Sequence, residues 1–180
     1  MIDLHCHLLP GVDDGSRTME DALELARAAV ANGIHTSVLT PHIYPGVFDN
    51  QRSSLLPVFA EYRQALWEAG IPLDVRLGGE VHLHPDVFDM FARGELPMIG
   101  GLNGKKMMLL EFPDGAIPHG SDVACRMFAD QGVHWLIAHP ERNKAVMRNP
   151  DIIKPFVDMG CMLQLTAKLI VCLNLRHSVN

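Results

Sequence analysis

The chain has 180 residues, 48% hydrophobic and 20% charged, the make-up of one globular domain with a real core. A formal net charge of −6 argues against a nucleic-acid footprint, which is normally basic, and suits a protein that offsets acid groups with divalent cations. No apolar run reaches membrane-spanning length, the start Met1-Ile2-Asp3 has no leader-like segment, and the four cysteines form no C-x-x-C pair. A cytoplasmic protein with reduced, mostly buried thiols is expected.

Strand-like and helix-like runs alternate along the chain. The first strand, Ile2-Asp3-Leu4-His5-Cys6-His7, puts Asp3, His5 and His7 on one face and Leu4 on the other, against the helices. Thr18 with Asp21 three residues on reads as a capping box, followed by Ala22, Leu25, Ala26, Ala29 and Val30 at helical spacing and a stop at Gly33. A second strand, Thr36-Ser37-Val38-Leu39, closes on Thr40-Pro41-His42. Leu55, Phe59, Tyr62 and Leu66 predict a helix ending at Gly70, with Pro57 in its first turn. Leu73-Asp74-Val75-Arg76-Leu77 predicts a third strand, ending at Gly79-Glu80. A short helix follows Pro85.

The second half repeats the rhythm. Met107-Met108-Leu109-Leu110 ends at Glu111. A helix spans about 121–130 and stops at Gly132. Val133-His134-Trp135-Leu136-Ile137 ends at His139-Pro140-Glu141-Arg142. Asn149-Pro150 opens a further helix that ends at Gly160, and Cys161-Met162-Leu163-Gln164-Leu165 is a last strand. Strands alternating with helices predict a parallel α/β domain.

Five of these strands stop on a histidine or a glutamate. Parallel strands bring their C-terminal ends to one face, so His5, His7, His42, Glu80, Glu111 and His139 are candidate metal ligands. Mixed imidazole and carboxylate donors without a cysteine cluster point to Mn, Fe or Zn. More than four candidates point to more than one ion, and Glu80 could bridge two of them. Asp3 is placed to fix a histidine ring through its other nitrogen. His82 and His84, just past a strand end and before Pro85, read as loop residues. Tyr44 and Phe48 read either as a lip that stacks on a tyrosine ring or as packing. No cysteine is followed by arginine at Cys-x5-Arg spacing, and no phosphate loop or His-Glu-x-x-His helix occurs.

Asp3-Leu4-His5-Cys6-His7, Pro10-Gly11-Val12-Asp13-Asp14-Gly15, Thr40-Pro41-His42, Gly79-Glu80, Glu111-Phe112-Pro113 and His139-Pro140-Glu141-Arg142 together resemble the polymerase and histidinol phosphatase (PHP) superfamily. More narrowly, they resemble its bacterial tyrosine-protein phosphatases of capsule and exopolysaccharide synthesis. The resemblance implies a distorted (β/α)7 barrel over residues 1–167 and a cluster of two or three divalent ions, manganese first among them. It implies dephosphorylation of the tyrosine-rich tail of a partner autokinase. By the same resemblance His5, His7 and Glu80 would hold one ion, and Glu80, Glu111 and His139 a second. Asp14 and His42 would begin a third site, with Asp13 a rival to Asp14 because spacing cannot separate adjacent aspartates. Arg142 would clamp the substrate phosphate.

The likeness stops near Leu165. The family's further strand, closing on Asp-x-His, has no counterpart, and residues 168–180 form an atypical tail. The expectation is an incomplete barrel with exposed strand edges that Leu169-Ile170-Val171-Cys172-Leu173 or a second subunit covers. Two other readings are a small-molecule phosphatase of the histidinol-phosphate type and a metal-binding remnant without turnover.

Overall fold

The structure, a computed structural model, describes residues 1–166. The expectations for residues 168–180, including the placement of Leu169 to Leu173, lie outside the described residues. The chain divides into two compact units, Met1–Leu109 and the stretch from Leu110 onward.

The first unit begins with β1 (Ile2–Cys6), α1 (Met19–Ala31), β2 (Thr36–Leu39) and β3 (His42–Ile43). It continues with α2 (Arg52–Glu68), β4 (Asp74–Leu77), β5 (Glu80–His82), α3 (Asp86–Ala92) and β6 (Gly100–Leu102). β7 (Lys105–Glu111) crosses the boundary between the units. β1, β2 and β4 form a parallel sheet in that order. Leu8, Leu9, Leu39, Leu55, Tyr62, Leu66 and Val75 form its buried core with Ala22 and Ala26 of α1. Tyr62 is fully buried and gives its hydroxyl hydrogen to the Ala22 carbonyl at 3.3 Å, so its one polar atom is satisfied.

The expected cap of α1 is present. Thr18 Oγ1 accepts from the Asp21 N–H and Asp21 Oδ2 accepts from the Thr18 N–H, each at 3.1 Å. Helix α2 starts at Arg52, three residues earlier than the apolar spacing suggests. Pro57 therefore sits in the second turn, not the first, and the Ser53 carbonyl loses its helical donor. Leu4 is 43% exposed rather than packed against the helices. The alternation of faces holds through this stretch, with Asp3 and His5 half-buried and Ile2 and Leu4 both on the exposed side.

Two of the predicted strands divide in two. After β2 the chain passes Thr40 and Pro41 and resumes as β3. After β4 it passes Gly78 and Gly79 and resumes as β5. β3 and β5 pair in parallel, with His42 opposite Glu80. Gly79 lets Ile43 pack closely at this break: a Cβ there would meet Ile43 Cδ1 at 2.5 Å and push that side chain aside.

The second unit holds α4 (Ser121–Asp130), β8 (Val133–Ala138), a 3₁₀ turn (Pro140–Arg142), α5 (Lys144–Arg148), a second 3₁₀ turn (Pro150–Ile153), α6 (Lys154–Asp158) and β9 (Met162–Gln164). β8 and β9 are parallel neighbours. Phe128 and Trp135 meet edge to face at 4.9 Å, as do Phe112 and Phe156 at 5.2 Å. Helix α5 was not legible in the sequence. Asn143 caps it, accepting from the Ala145 and Val146 N–H groups while donating to the Pro113 carbonyl. The fold class is α/β with parallel sheets, as expected. Among the described residues no helix is long and apolar enough to cross a membrane.

Candidate metal centre

Within the first unit, three imidazoles converge on one carboxylate oxygen. Glu80 opens β5 with its side chain 1% exposed, and its Oε2 lies 3.1 Å from His5 Nε2, 3.3 Å from His7 Nε2 and 3.2 Å from His42 Nδ1. His5 Nε2 and His7 Nε2 are 3.3 Å apart. Only one hydrogen fits between two ring nitrogens at that distance, and one oxygen has two lone pairs for three nitrogens. A single compact cation satisfies such a set better than shared protons do. The donors are nitrogen and oxygen without sulfur, which suits Mn, Fe or Zn.

The loop after β1 supplies the rest. Asp14 Oδ1 is 3.4 Å from His42 Nε2, and its side chain is 69% exposed. His7, Asp14 and His42 form a second group of possible ligands, beside His5, His7 and Glu80. The side chain of Asp13 is buried instead. Its Oδ2 takes His7 Nδ1 at 2.7 Å and the His42 backbone N–H at 3.0 Å, and its Oδ1 takes the Gly15 N–H at 3.0 Å. Gly15 is fixed by space, since a Cβ would lie 2.3 Å from the His7 carbonyl oxygen. Asp3, expected to hold a histidine ring, instead accepts the His5 backbone N–H at 3.1 Å. The carboxylate that takes the Nδ1 side of the His7 ring is Asp13.

These carboxylates act on charge. Burial disfavours the charged form of His7, but the hydrogen bonds and charges of Asp13 and Glu80 outweigh it and push the imidazole up to about 10. Asp13 moves the other way. Burial would raise it, yet the donors His7, Gly15 and His42 hold it below the usual carboxylate range. Cys6 is pushed up to about 12 by burial and by the charge of Asp3, so it is a neutral thiol near neutral pH.

An aromatic rim borders the cluster. Phe48 stacks on His42 with ring centres 5.5 Å apart, and Tyr44 stacks on His82 at 3.8 Å. His82 is thus a buried strand residue, not a loop residue. Asn50 Nδ2 donates to the carbonyls of Val12 and His42, each at 2.8 Å, and ties the rim to the aspartate loop. Composition gave no signal for Asn50.

In the second unit, Glu111 ends β7 and His139 follows β8. His139 Nε2 lies 3.8 Å from Glu111 Oε1. His139 has φ +28°, an unusual conformation for a side-chain-bearing residue, and its carbonyl accepts the Arg142 N–H at 2.9 Å. That turn leaves Arg142 exposed. Glu141, given no role from sequence, accepts the Thr166 N–H at 2.9 Å through Oε1. Burial works against its charge, but the Thr166 hydrogen bond holds its carboxyl below the usual range.

Parallel α/β units that gather histidine and carboxylate donors from the starts and ends of neighbouring strands define the class of fold and a candidate metal centre within it. The model of the capsular polysaccharide synthesis family CpsB/CapC matches residues 1–174, and the chain belongs to that family. It is 36% identical over 170 residues to tyrosine-protein phosphatase YwqE of Bacillus subtilis, covering 93% of this chain and 65% of that protein. It is 29% identical to the putative tyrosine-protein phosphatase CapC of Staphylococcus aureus, over 93% of this chain and 64% of the relative. It is 27% identical to tyrosine-protein phosphatase CpsB of Streptococcus pneumoniae, over 93% of this chain and 68% of that protein. A chain from the crystal structures of YwqE and CpsB, described as unique metal-dependent tyrosine phosphatases, superposes with a TM-score of 0.83 at 35% identity. The match covers 92% of this chain and 66% of the solved one. The chain thus spans a little under two thirds of the length of YwqE and CapC.

Proposed function

We propose that this chain is a metal-dependent phosphomonoester hydrolase acting on phosphotyrosine, in the control of capsule or exopolysaccharide synthesis. The observation that supports it is the meeting of His5, His7 and His42 at Glu80 Oε2 within 3.3 Å, in a chain 36% identical to a tyrosine-protein phosphatase. The wider fold belongs to the same proposal: a PHP-type distorted (β/α)7 barrel built from residues 1–167. So do a cytoplasmic location and a tyrosine autokinase as the partner that presents the phosphorylated tail.

His5, His7 and Glu80 are the proposed holders of one ion and Asp14 with His42 of another. Glu111 and His139 are the proposed ligands of the second unit. Two or three ions, manganese first, fit the donor chemistry. Bound divalent ions would supply charge neutralisation for phosphoryl oxygens and acidify water near neutral pH. The residues do the rest. Glu80 gathers the ring nitrogens of His5, His7 and His42 around one oxygen, where they could share a cation. Arg142 offers a planar fork to two phosphate oxygens. Its exposure suits a group that waits for an anion rather than one that serves the core. A phenolate leaves readily, because tyrosine ionises near ~10, so no strong general acid is required.

The test is phosphate release from a phosphotyrosine peptide, a phosphoserine peptide and histidinol phosphate, each with added Mn²⁺. Preference for phosphotyrosine is expected. Preference for histidinol phosphate would move the chain to the small-molecule phosphatases, and no turnover on any of the three would make it a remnant.

A further inference from the structure

Asp13 and Asp14 are adjacent, yet their surroundings differ completely. Asp14 is largely solvent-exposed and touches one imidazole edge. The Asp13 side chain is fully buried in its pairing with His7. Both its oxygens are engaged by donors: Oδ2 by the His7 ring and the His42 backbone, Oδ1 by Gly15. A carboxylate so used has little left to offer a cation. It has a great deal to offer the ligands.

We propose that Asp13 is the positioning residue of the centre, fixing the tautomer of His7 and clamping the backbone of His42 so that both present lone pairs together. This inference rests on the metal-centre reading above.

The geometry gives the reason. An ionised carboxylate only accepts, so the hydrogen between Asp13 Oδ2 and His7 Nδ1, 2.7 Å apart, sits on Nδ1. Nε2 is then the nitrogen left to ligate, and it is the one that faces Glu80 at 3.3 Å. The same oxygen holds the His42 N–H at 3.0 Å, at the first residue of β3. One buried atom therefore couples a ligand that follows β1 to a ligand on β3. The two rings lie 4.6 Å apart, closer than the 5.3 Å between His5 and His7. Gly15 makes this possible, because any side chain there would strike the His7 carbonyl and displace the loop that brings Asp13 inward.

Asp13→Asn is the informative change. It keeps the shape but turns one oxygen into an N–H₂ donor, which must then face either the Gly15 N–H or the His7 and His42 donors. Removing the carboxylate partner of a ligating histidine typically lowers metal affinity by about 10–100-fold.

The experiment measures Zn²⁺ and Mn²⁺ binding by competition with a chromophoric chelator, with no substrate present. Asp13→Asn should weaken the site built on His7 and the site built on His42, each by about 10–100-fold, while the number of ions bound at saturation stays at the wild-type value. Asp14→Asn should weaken the His42 site alone. Long-range ¹H–¹⁵N spectra of the wild-type chain loaded with Zn²⁺ should show the His7 hydrogen on Nδ1, a measurement that does not depend on the variant folding. Wild-type affinity in Asp13→Asn overturns the inference. So does loss of a whole ion from the saturated count, which would make Asp13 a ligand, or a wild-type His7 with bare Nδ1. A wild-type chain that binds neither cation overturns the metal-centre reading itself, and the inference with it.

Discussion

Replacing Glu80 by glutamine changes one oxygen to an N–H₂ group and removes the anionic point on which His5, His7 and His42 converge at 3.1, 3.3 and 3.2 Å. The side chain is 1% exposed, so water does not substitute for the lost charge. Two effects follow. Without cation, a charge-assisted hydrogen bond lost in a buried setting costs about 1.5–3 kcal/mol. At about 2–4 °C per kcal/mol for a chain of this size, Tm should fall by roughly 3–12 °C. With cation, an ion at a hundredfold excess over its Kd stabilises the folded wild type by about 2.7 kcal/mol. That corresponds to a rise of roughly 5–11 °C, and Glu80→Gln should lose most of it. The assay is thermal melting of both chains, chelated and at matched free Mn²⁺. A variant that keeps the full Mn²⁺-dependent rise would refute the role of Glu80.

Arg142→Ala should lower kcat/KM on a phosphotyrosine peptide by one to two decades, the value of about 1.5–3 kcal/mol for a charge-assisted contact, with bound metal unchanged. Full activity would remove the clamp role. The chelated chain should lose stability as pH rises. Folded His7 holds its proton to about 10, whereas the unfolded residue releases it near ~6.5. Its contribution is therefore full below pH ~6.5 and is lost as pH climbs through 10, and Tm of the chelated chain should decline between pH 7 and 10. A chelated Tm that rises over that interval would contradict the pairing of His7 with Asp13 and Glu80.

Residue chemistry at strand ends was the legible part of this chain. His5, His7, His42 and Glu80 could be singled out because each follows an apolar run, and the structure brings those four together. The details that position them were not legible, for specific reasons. β3 and β5 are two and three residues long, too short for any periodicity, so His42 and Glu80 looked like strand endings when they open new strands. The register shift in β1 between Asp3 and Cys6 leaves no mark in composition. Adjacent aspartates share one spacing, and only the loop conformation set by Gly15 sends Asp13 inward and leaves Asp14 outside. Pro57 looked like a first-turn proline because the polar residues Arg52, Ser53 and Ser54 hide the true start of α2. α5 has five residues and no apolar stripe, so its one signal was the Asn143 cap.

The most direct measurement is phosphate release from a phosphotyrosine peptide by one preparation in three states: as purified with Mn²⁺, after chelation, and after Mn²⁺ is restored. The cluster around Glu80 predicts turnover in the first state, none in the second and recovery in the third. Turnover that chelation leaves intact, or a chain inactive with Mn²⁺, Fe²⁺ and Zn²⁺ alike, would contradict a metal-dependent phosphotyrosine hydrolase.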